Sequence, residues 1–211
     1  MKIVAISDTH GLHDQLVLPD GDLLIHTGDI SKRGRREEIV SFLEWFDQQP
    51  FPYKVFIAGN HDFYLEEANE KQIASLMPSG ISYLNDSGIE IDGCRIWGSP
   101  VQPWFHDWAF NRQRGDEIDR HWQLVPEGVD LLLTHGPPWG VLDRTFRGMH
   151  VGCERLLDRI INIRPGFVVF GHIHEAYGQL KKNNIHFINA SVVNLRYQVV
   201  NPPVVFEFED I

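Results

Sequence analysis

The chain has 211 residues, 43% of them hydrophobic, which suits one globular domain over residues 1–211 with a core large enough to need no covalent staples. Its two cysteines, Cys94 and Cys153, argue against a disulfide framework or a thiolate metal site and point to a reducing, cytoplasmic setting. A formal charge of −10 speaks against a grip on long nucleic acid, and no apolar run reaches the roughly 18 residues of a membrane span.

Residues 2–6 (KIVAI) read as a strand buried on both faces, too short for the core of a signal peptide. A second strand follows at 22–26 (DLLIH). Over 35–48, Ile39, Phe42, Leu43 and Phe46 recur at i, i+3, i+4 and i+7, the stripe of a helix packed on a core. Residues 54–58 (KVFIA) give a third strand. The pattern then predicts one helix over 65–76, stopped before Pro78. The stretch 81–98 alternates and carries Asn-Asp-Ser-Gly and Asp-Gly turns, so it reads as a hairpin or meander. Strands at 129–133 (VDLLL) and 167–170 (FVVF) bracket a helix over 153–163, whose Leu156, Leu157, Ile160 and Ile161 form the apolar face. IHFINAS and VVFEFE add strands near the C-terminus. Layering these elements gives an α/β sandwich, two packed sheets with helices outside.

All five apolar strands run into Asp, Asn or His within one to four residues. Such a residue after a strand is ordinarily a turn former or a helix cap. Here the same three residue types recur at the same structural position. The carboxyl edge of a parallel sheet would gather Asp8, His10, Asp29, Asn60, His135, His172 and His174. That cluster is electrostatically poor without cations. Seven ligands exceed what one ion uses while leaving room for substrate, whereas two ions about 3.5–4 Å apart use them all. Oxygen and imidazole donors without thiolate favour two divalent metal ions, manganese first, with iron, zinc, nickel or cobalt as alternatives to it and calcium disfavoured.

The set Asp8-x-His10, Gly28-Asp29, Gly59-Asn60-His61-Asp62, Thr134-His135-Gly136 and Gly171-His172-x-His174 resembles the calcineurin-like metallophosphoesterases, in order from residue 8 to 174. DWAFNRQRG (107–115) and GHIHEAYG (171–178) look more narrowly like bacterial relatives of the MPPED metallophosphodiesterase group. The resemblance implies a four-layer sandwich of two mixed β-sheets flanked by α-helices. It implies one metal held by Asp8, His10, Asp29 and His174 and another by Asp29, Asn60, His135 and His172, with Asp29 bridging. His61 would sit over the leaving group, with Asp62 orienting its imidazole and favouring the cationic form. The implied reaction is hydrolysis of a small phosphodiester, cyclic nucleotides among them, by a metal-bridged hydroxide. The same centre serves phosphomonoesterases and protein phosphatases. A non-catalytic interaction domain would have lost ligands, and none is missing here.

The other histidines read mostly as structural. His26 falls inside a strand, and His121 and His186 fall in a helix and a strand. His13 and His150 stand close enough to motifs or helix starts to be candidates for reaching the site. Trp104, Phe105, Trp108 and Phe110 with Arg112 and Arg114 form either a base-stacking, phosphate-holding loop or a folded surface loop.

Overall fold

The computed structural model describes residues 1–209. The five apolar runs fold into two sheets rather than one. The first sheet has the order β13 (Val204–Glu207), β1 (Lys2–Ile6), β2 (Leu23–Thr27), β3 (Tyr53–Ile57), β4 (Ile81–Tyr83). The second runs β11 (Gly178–Lys182), β12 (Ile185–Asn189), β10 (Phe167–Phe170), β9 (Leu131–Thr134), β6 (Cys94–Ser99), β5 (Ser87–Ile91). A two-strand ribbon, β7 (Gln102–Pro103) with β8 (Asn111–Arg112), stands apart. Both large sheets are mixed. Strands β1 to β4 are parallel and β13 is antiparallel to β1, while β6, β9, β10 and β12 are parallel with β5 and β11 antiparallel at the edges.

Three apolar clusters define four layers. Ile3, Ala5, Ile25 and Val55 of the first sheet meet Ile96, Leu131, Val169 and Ile188 of the second, forming the core between the sheets. The opposite face of the first sheet, Val4, Ile6, Leu24 and Phe56, receives α1 (Arg36–Asp47) through Ile39, Phe42, Leu43 and Phe46, the four residues of the predicted stripe. The outer face of the second sheet, Leu132, Val168 and Phe170, packs on α4 (Asp116–Trp122) and α5 (Glu154–Ile163). The central strands thus bury both faces, so KIVAI, DLLIH and FVVF read as continuous apolar runs rather than alternating ones. The four-layer expectation holds.

Three local expectations differ. The predicted 65–76 helix is two: α2 (Phe63–Glu67) and α3 (Glu70–Leu76). Asn69 separates them because its side chain accepts from Gln72 N at 3.0 Å while Gln72 Oε1 accepts from Asn69 N at 2.9 Å, a reciprocal cap that starts a new helix. The 81–98 meander is divided between the sheets, β4 adding to β3 while β5 and β6 form a hairpin in the second sheet. On α5, Leu156 and Ile160 are buried but Ile161 is 51% exposed. Among the described residues no helix is long and apolar enough to cross a membrane.

His26 is a core residue, as its strand position suggests. Its Nδ1 accepts from Gly28 N at 3.2 Å, so the neutral ring carries its proton on Nε2, 2.9 Å from Thr9 Oγ1. Full burial, opposed only in part by Asp8, pushes its pKa down from 6.5 to about 3. The unfolded chain takes up this proton near 6.5 and the fold refuses it until about 3. Stability is therefore lost as pH falls through that window, by about 1.4 kcal/mol per pH unit for this group. Urea midpoints between pH 7 and 4.5 should fall less steeply for His26→Gln than for the unaltered protein.

Candidate metal centre

The turns after β1, β2 and β10 are short, and the chain leaves these strands in a left-handed conformation at polar residues. Asp8, His10, Asp29 and His172 have φ of 58°, 45°, 57° and 67°. Such values are uncommon outside glycine, and four of them at one edge mark stored backbone strain at a functional site. Backbone hydrogen bonds hold these turns against each other: Asp8 N donates to Gly28 O at 3.0 Å and His10 N to Asp29 O at 2.9 Å. Across the sheets, His172 N donates to the Asp8 carboxylate at 3.0 Å, and within the second sheet Gly171 N donates to His135 O at 3.0 Å.

Two glycines are required by close approach. A Cβ on Gly171 would lie 2.1 Å from Asp8 Oδ2, and one on Gly59 would lie 2.4 Å from Asp29 Oδ1. The glycines of the Gly-His-x-His and Gly-Asn-His-Asp runs therefore make room for carboxylates from other strands.

All seven sequence-predicted ligands converge. Donor atoms of six of them, with His61, fall into overlapping groups: Asp8, His10 and His174; His10, Asp29 and His61; Asp29, His135 and His172, and the seventh, Asn60, adjoins His135. Asp29 belongs to two of these groups. Its Oδ2 lies 3.7 Å from His10 Nε2 and its Oδ1 lies 3.4 Å from His135 Nε2. His174 Nε2 stands 3.5 Å from Asp8 Oδ1, and Asn60 Oδ1 stands 2.9 Å from His135 Nε2. His135 Nδ1 donates to Thr27 O at 2.9 Å, which leaves its Nε2 lone pair facing the cluster.

The electrostatics of this group calls for positive charge. Burial works against ionising Asp8, but His174 and then His135 outweigh it and hold its carboxyl well below the usual range. Burial likewise opposes ionisation of Asp29, and His135 and His61 hold it well below its usual value. Burial pushes His10 down to about 4, and burial with neighbouring His135 pushes His172 down to about 3. Burial also depresses His135, but Asp29 more than reverses this and raises it to about 9.

The residues fit a pair of divalent cations. His10 Nε2 and His174 Nε2 face each other at 3.3 Å, and His135 Nε2 faces the Asn60 carbonyl oxygen. Lone pairs so placed repel unless a proton or a cation lies between them. Oxygen and imidazole donors suit a borderline or hard divalent ion.

Asp62 departs from expectation. His61 Nδ1 donates to the Lys32 carbonyl at 2.8 Å, so a backbone oxygen orients this ring and turns Nε2 to within 4.0 Å of Asp29 Oδ2. The Asp62 carboxylate is occupied elsewhere. It accepts from Gly59 N at 2.8 Å, Ser31 Oγ at 2.7 Å, Ser31 N at 3.0 Å and Ile30 N at 3.3 Å. Asp62 thus ties the turn after β2 to the turn after β3. Burial and the Asp29 charge push its pKa up to about 6 despite these donors.

The other candidates sort differently. His13 is buried against Phe42 and Trp45, and His150 Nδ1 bonds Asp143 Oδ1 at 2.6 Å, so neither joins the ligand groups. His121 pairs with Asp86 at 2.6 Å and His186 with Gln179 at 2.9 Å. In the 100–115 loop the arginines are structural: Arg112 reaches His121 and Glu66, and Arg114 holds the carbonyls of Val151 and Gly152 together with Glu154. Phe110 is buried, whereas Trp108 lies over His61 with ring centroids 4.3 Å apart and planes 30° apart. Sequence reasoning missed Tyr197, whose ring stands 4.7 Å from His10 and 5.7 Å from His174. Its loop carries no spacing signal that separates it from an ordinary turn.

The model of the calcineurin-like phosphoesterases matches residues 1–176. The chain belongs to this family. It is 42% identical over 230 residues to human metallophosphoesterase domain-containing protein 1, covering 98% of this chain and 70% of that protein. It is 37% identical over 218 residues to the Caenorhabditis elegans UPF0046 protein K07C11.7, covering 98% of this chain and 74% of that one. Among solved structures, the phosphopantetheinyl hydrolase PptH of Mycobacterium tuberculosis shares the fold with a TM-score of 0.64 at 15% identity, over 93% of this chain and 90% of that one. Family membership implies a dinuclear divalent metal centre, and the grouped donors supply its candidate ligands.

Gly171→Ala forces the Asp8 carboxylate aside. Metal content after dialysis should fall at least about tenfold, the scale of outer-shell losses in metal sites. Gly136→Ala, whose Cβ would meet Gln102 Cβ at an ordinary 3.5 Å, should retain it. Elemental analysis of the two variants distinguishes them.

Proposed function

We propose that this calcineurin-like phosphoesterase hydrolyses small phosphodiesters, cyclic nucleotides among them, and works in the cytoplasm with manganese as its metal. One cation would be held by Asp8, His10, Asp29 and His174 and the other by Asp29, Asn60, His135 and His172, Asp29 bridging. When bound, the pair supplies a water-derived nucleophile near neutral pH and neutralises charge on the phosphoryl oxygens.

The observation that carries the diester reading is a cavity of about 240 Å³ against His172. Pro103, Trp104, Phe105, Pro137 and Ile173 make its walls largely apolar. A monoester presents one organic group, which leaves. A diester keeps a second, which needs a place beside the metals away from the leaving oxygen. The cavity offers that place, while His61 attends the other side of the cluster next to His10.

His61 is the group for proton transfer. Its Nδ1–H is committed to the Lys32 carbonyl, so Nε2 is the atom that gives a proton to the departing oxygen or stabilises its charge. Asp62 acts one step removed. By gathering the amides of Ile30, Ser31 and Gly59, it fixes the turns that carry Asp29, Asn60 and His61. The net charge of −10 supports a small substrate rather than long nucleic acid.

With manganese restored after chelation, kcat/KM for bis-p-nitrophenyl phosphate should exceed that for p-nitrophenyl phosphate, and a panel of 2′,3′- and 3′,5′-cyclic nucleotides should contain a substrate. A clear preference for the monoester overturns the diester reading. Asp29→Ala should lose both metals and all turnover. His61→Ala should keep two metals per chain yet lose about 10²- to 10⁴-fold in kcat, more for alkyl than for nitrophenyl leaving groups. An unchanged rate on an alkyl diester removes His61 from the reaction.

A further inference from the structure

We propose that Tyr197 and Trp108 form an aromatic slot beside His61 that selects phosphoesters carrying a flat, apolar group at the leaving position. The inference rests on the phosphoesterase reading and adds the chemistry of the leaving group to it.

Tyr197 lies beyond the residues matched by the family model, so the common motifs do not account for it. Its backbone is left-handed, with φ of 56°, at a bulky non-glycine residue where that conformation is a true outlier. The surrounding loop enforces it. Tyr197 N donates to Asn194 O at 2.9 Å, and the Asn194 side-chain oxygen accepts from Arg196 N at 2.9 Å and Gln198 N at 3.1 Å. Below the loop, Val192 and Val193 are fully buried in the core under α1, so the turn has a rigid base.

The strain holds the ring at the metal centre. Its centroid lies 4.7 Å from His10, 5.7 Å from His174 and 6.3 Å from His61, edge-on to each. Yet Tyr197 is 42% exposed, although it packs on buried histidines. Trp108 is half-buried and covers His61 at 4.3 Å. The His61 ring thus has two aromatic neighbours, Trp108 at 4.3 Å and Tyr197 at 6.3 Å, each partly open to solvent. A turn whose only task is to reverse the chain would take glycine or asparagine at the left-handed position without strain. A tyrosine kept there, against the site, fits a role in holding substrate. Flat apolar groups such as aryl or nucleobase rings gain stacking and edge contacts in such a slot, whereas a methyl group does not.

The test uses two non-hydrolysable anions that share a phosphonate and differ in the organic group: phenylphosphonate and methylphosphonate, titrated by calorimetry into the manganese-loaded protein. Tyr197→Ala should weaken phenylphosphonate about tenfold and methylphosphonate less than twofold, with two metals retained. Tyr197→Phe should restore phenylphosphonate affinity to within about threefold of the unaltered protein. Tyr197→Gly should lose the same discrimination while its melting temperature stays equal or rises, because glycine relieves the backbone. In turnover, Tyr197→Ala should raise KM for bis-p-nitrophenyl phosphate with little change in kcat. Equal weakening of both phosphonates, or weakening of neither, overturns the slot. A protein that discriminates between the phosphonates as described but cleaves no phosphoester supports the slot and sinks the phosphoesterase reading instead.

Discussion

Two carboxylates and several imidazoles are held out of water at one place, where their charges have to be balanced locally. That constraint organises the molecule. Asp8 and Asp29 are both buried and both held strongly acidic by the histidines around them, while His10 Nε2 faces His174 Nε2 at 3.3 Å and His135 Nε2 faces Asn60 Oδ1 at 2.9 Å. In a low-dielectric interior such an arrangement is costly by itself and becomes favourable with cations between the donors. The calcineurin-like fold supplies the rigidity to keep it: the donors grow from the ends of fully buried parallel strands, and their rotation is limited by backbone partners such as the Thr27 carbonyl on His135.

The local conformations follow from the same demand. Left-handed φ at Asp8, His10, Asp29 and His172 turns the chain immediately after β1, β2 and β10 instead of letting it run on. Close approach then requires glycine at 59 and 171, where any Cβ would strike a carboxylate from another strand. Asp62 shows how the turns are kept in register. It is no partner of His61 but a buried acceptor for two amides of one turn and one of another, so its contribution to the site is mechanical.

Around this charged centre the rim is apolar. Trp104 and Phe105 border the cavity at His172, Trp108 covers His61, and Tyr197 leans on His10. Of the arginines that sequence reading placed among these aromatics, Arg112 is held by Glu66 and His121, while Arg114 lines the cavity at His172 and is held there by Glu154 and the carbonyls of Val151 and Gly152.

Much of this was legible in the chain itself. Strand after strand ended in Asp, Asn or His, and the α1 stripe of Ile39, Phe42, Leu43 and Phe46 was read correctly because 3.6-residue periodicity is a local signal. The gathering of Asp8, His10, Asp29, Asn60, His135, His172 and His174 at one edge was legible because turn residues directly following buried strands have little freedom in where they point. Other features depended on contacts between segments far apart. The sequence did not say that β1 to β3 and β9 with β10 belong to different sheets, since parallel runs buried on both faces look alike in either. Nor could it distinguish the Lys32 carbonyl from Asp62 as the partner of His61, because a backbone oxygen leaves no trace in residue identity. Tyr197 entered the site only through the tertiary fold: its loop reads as an ordinary turn, and only packing of that turn on the core brings the ring against His10.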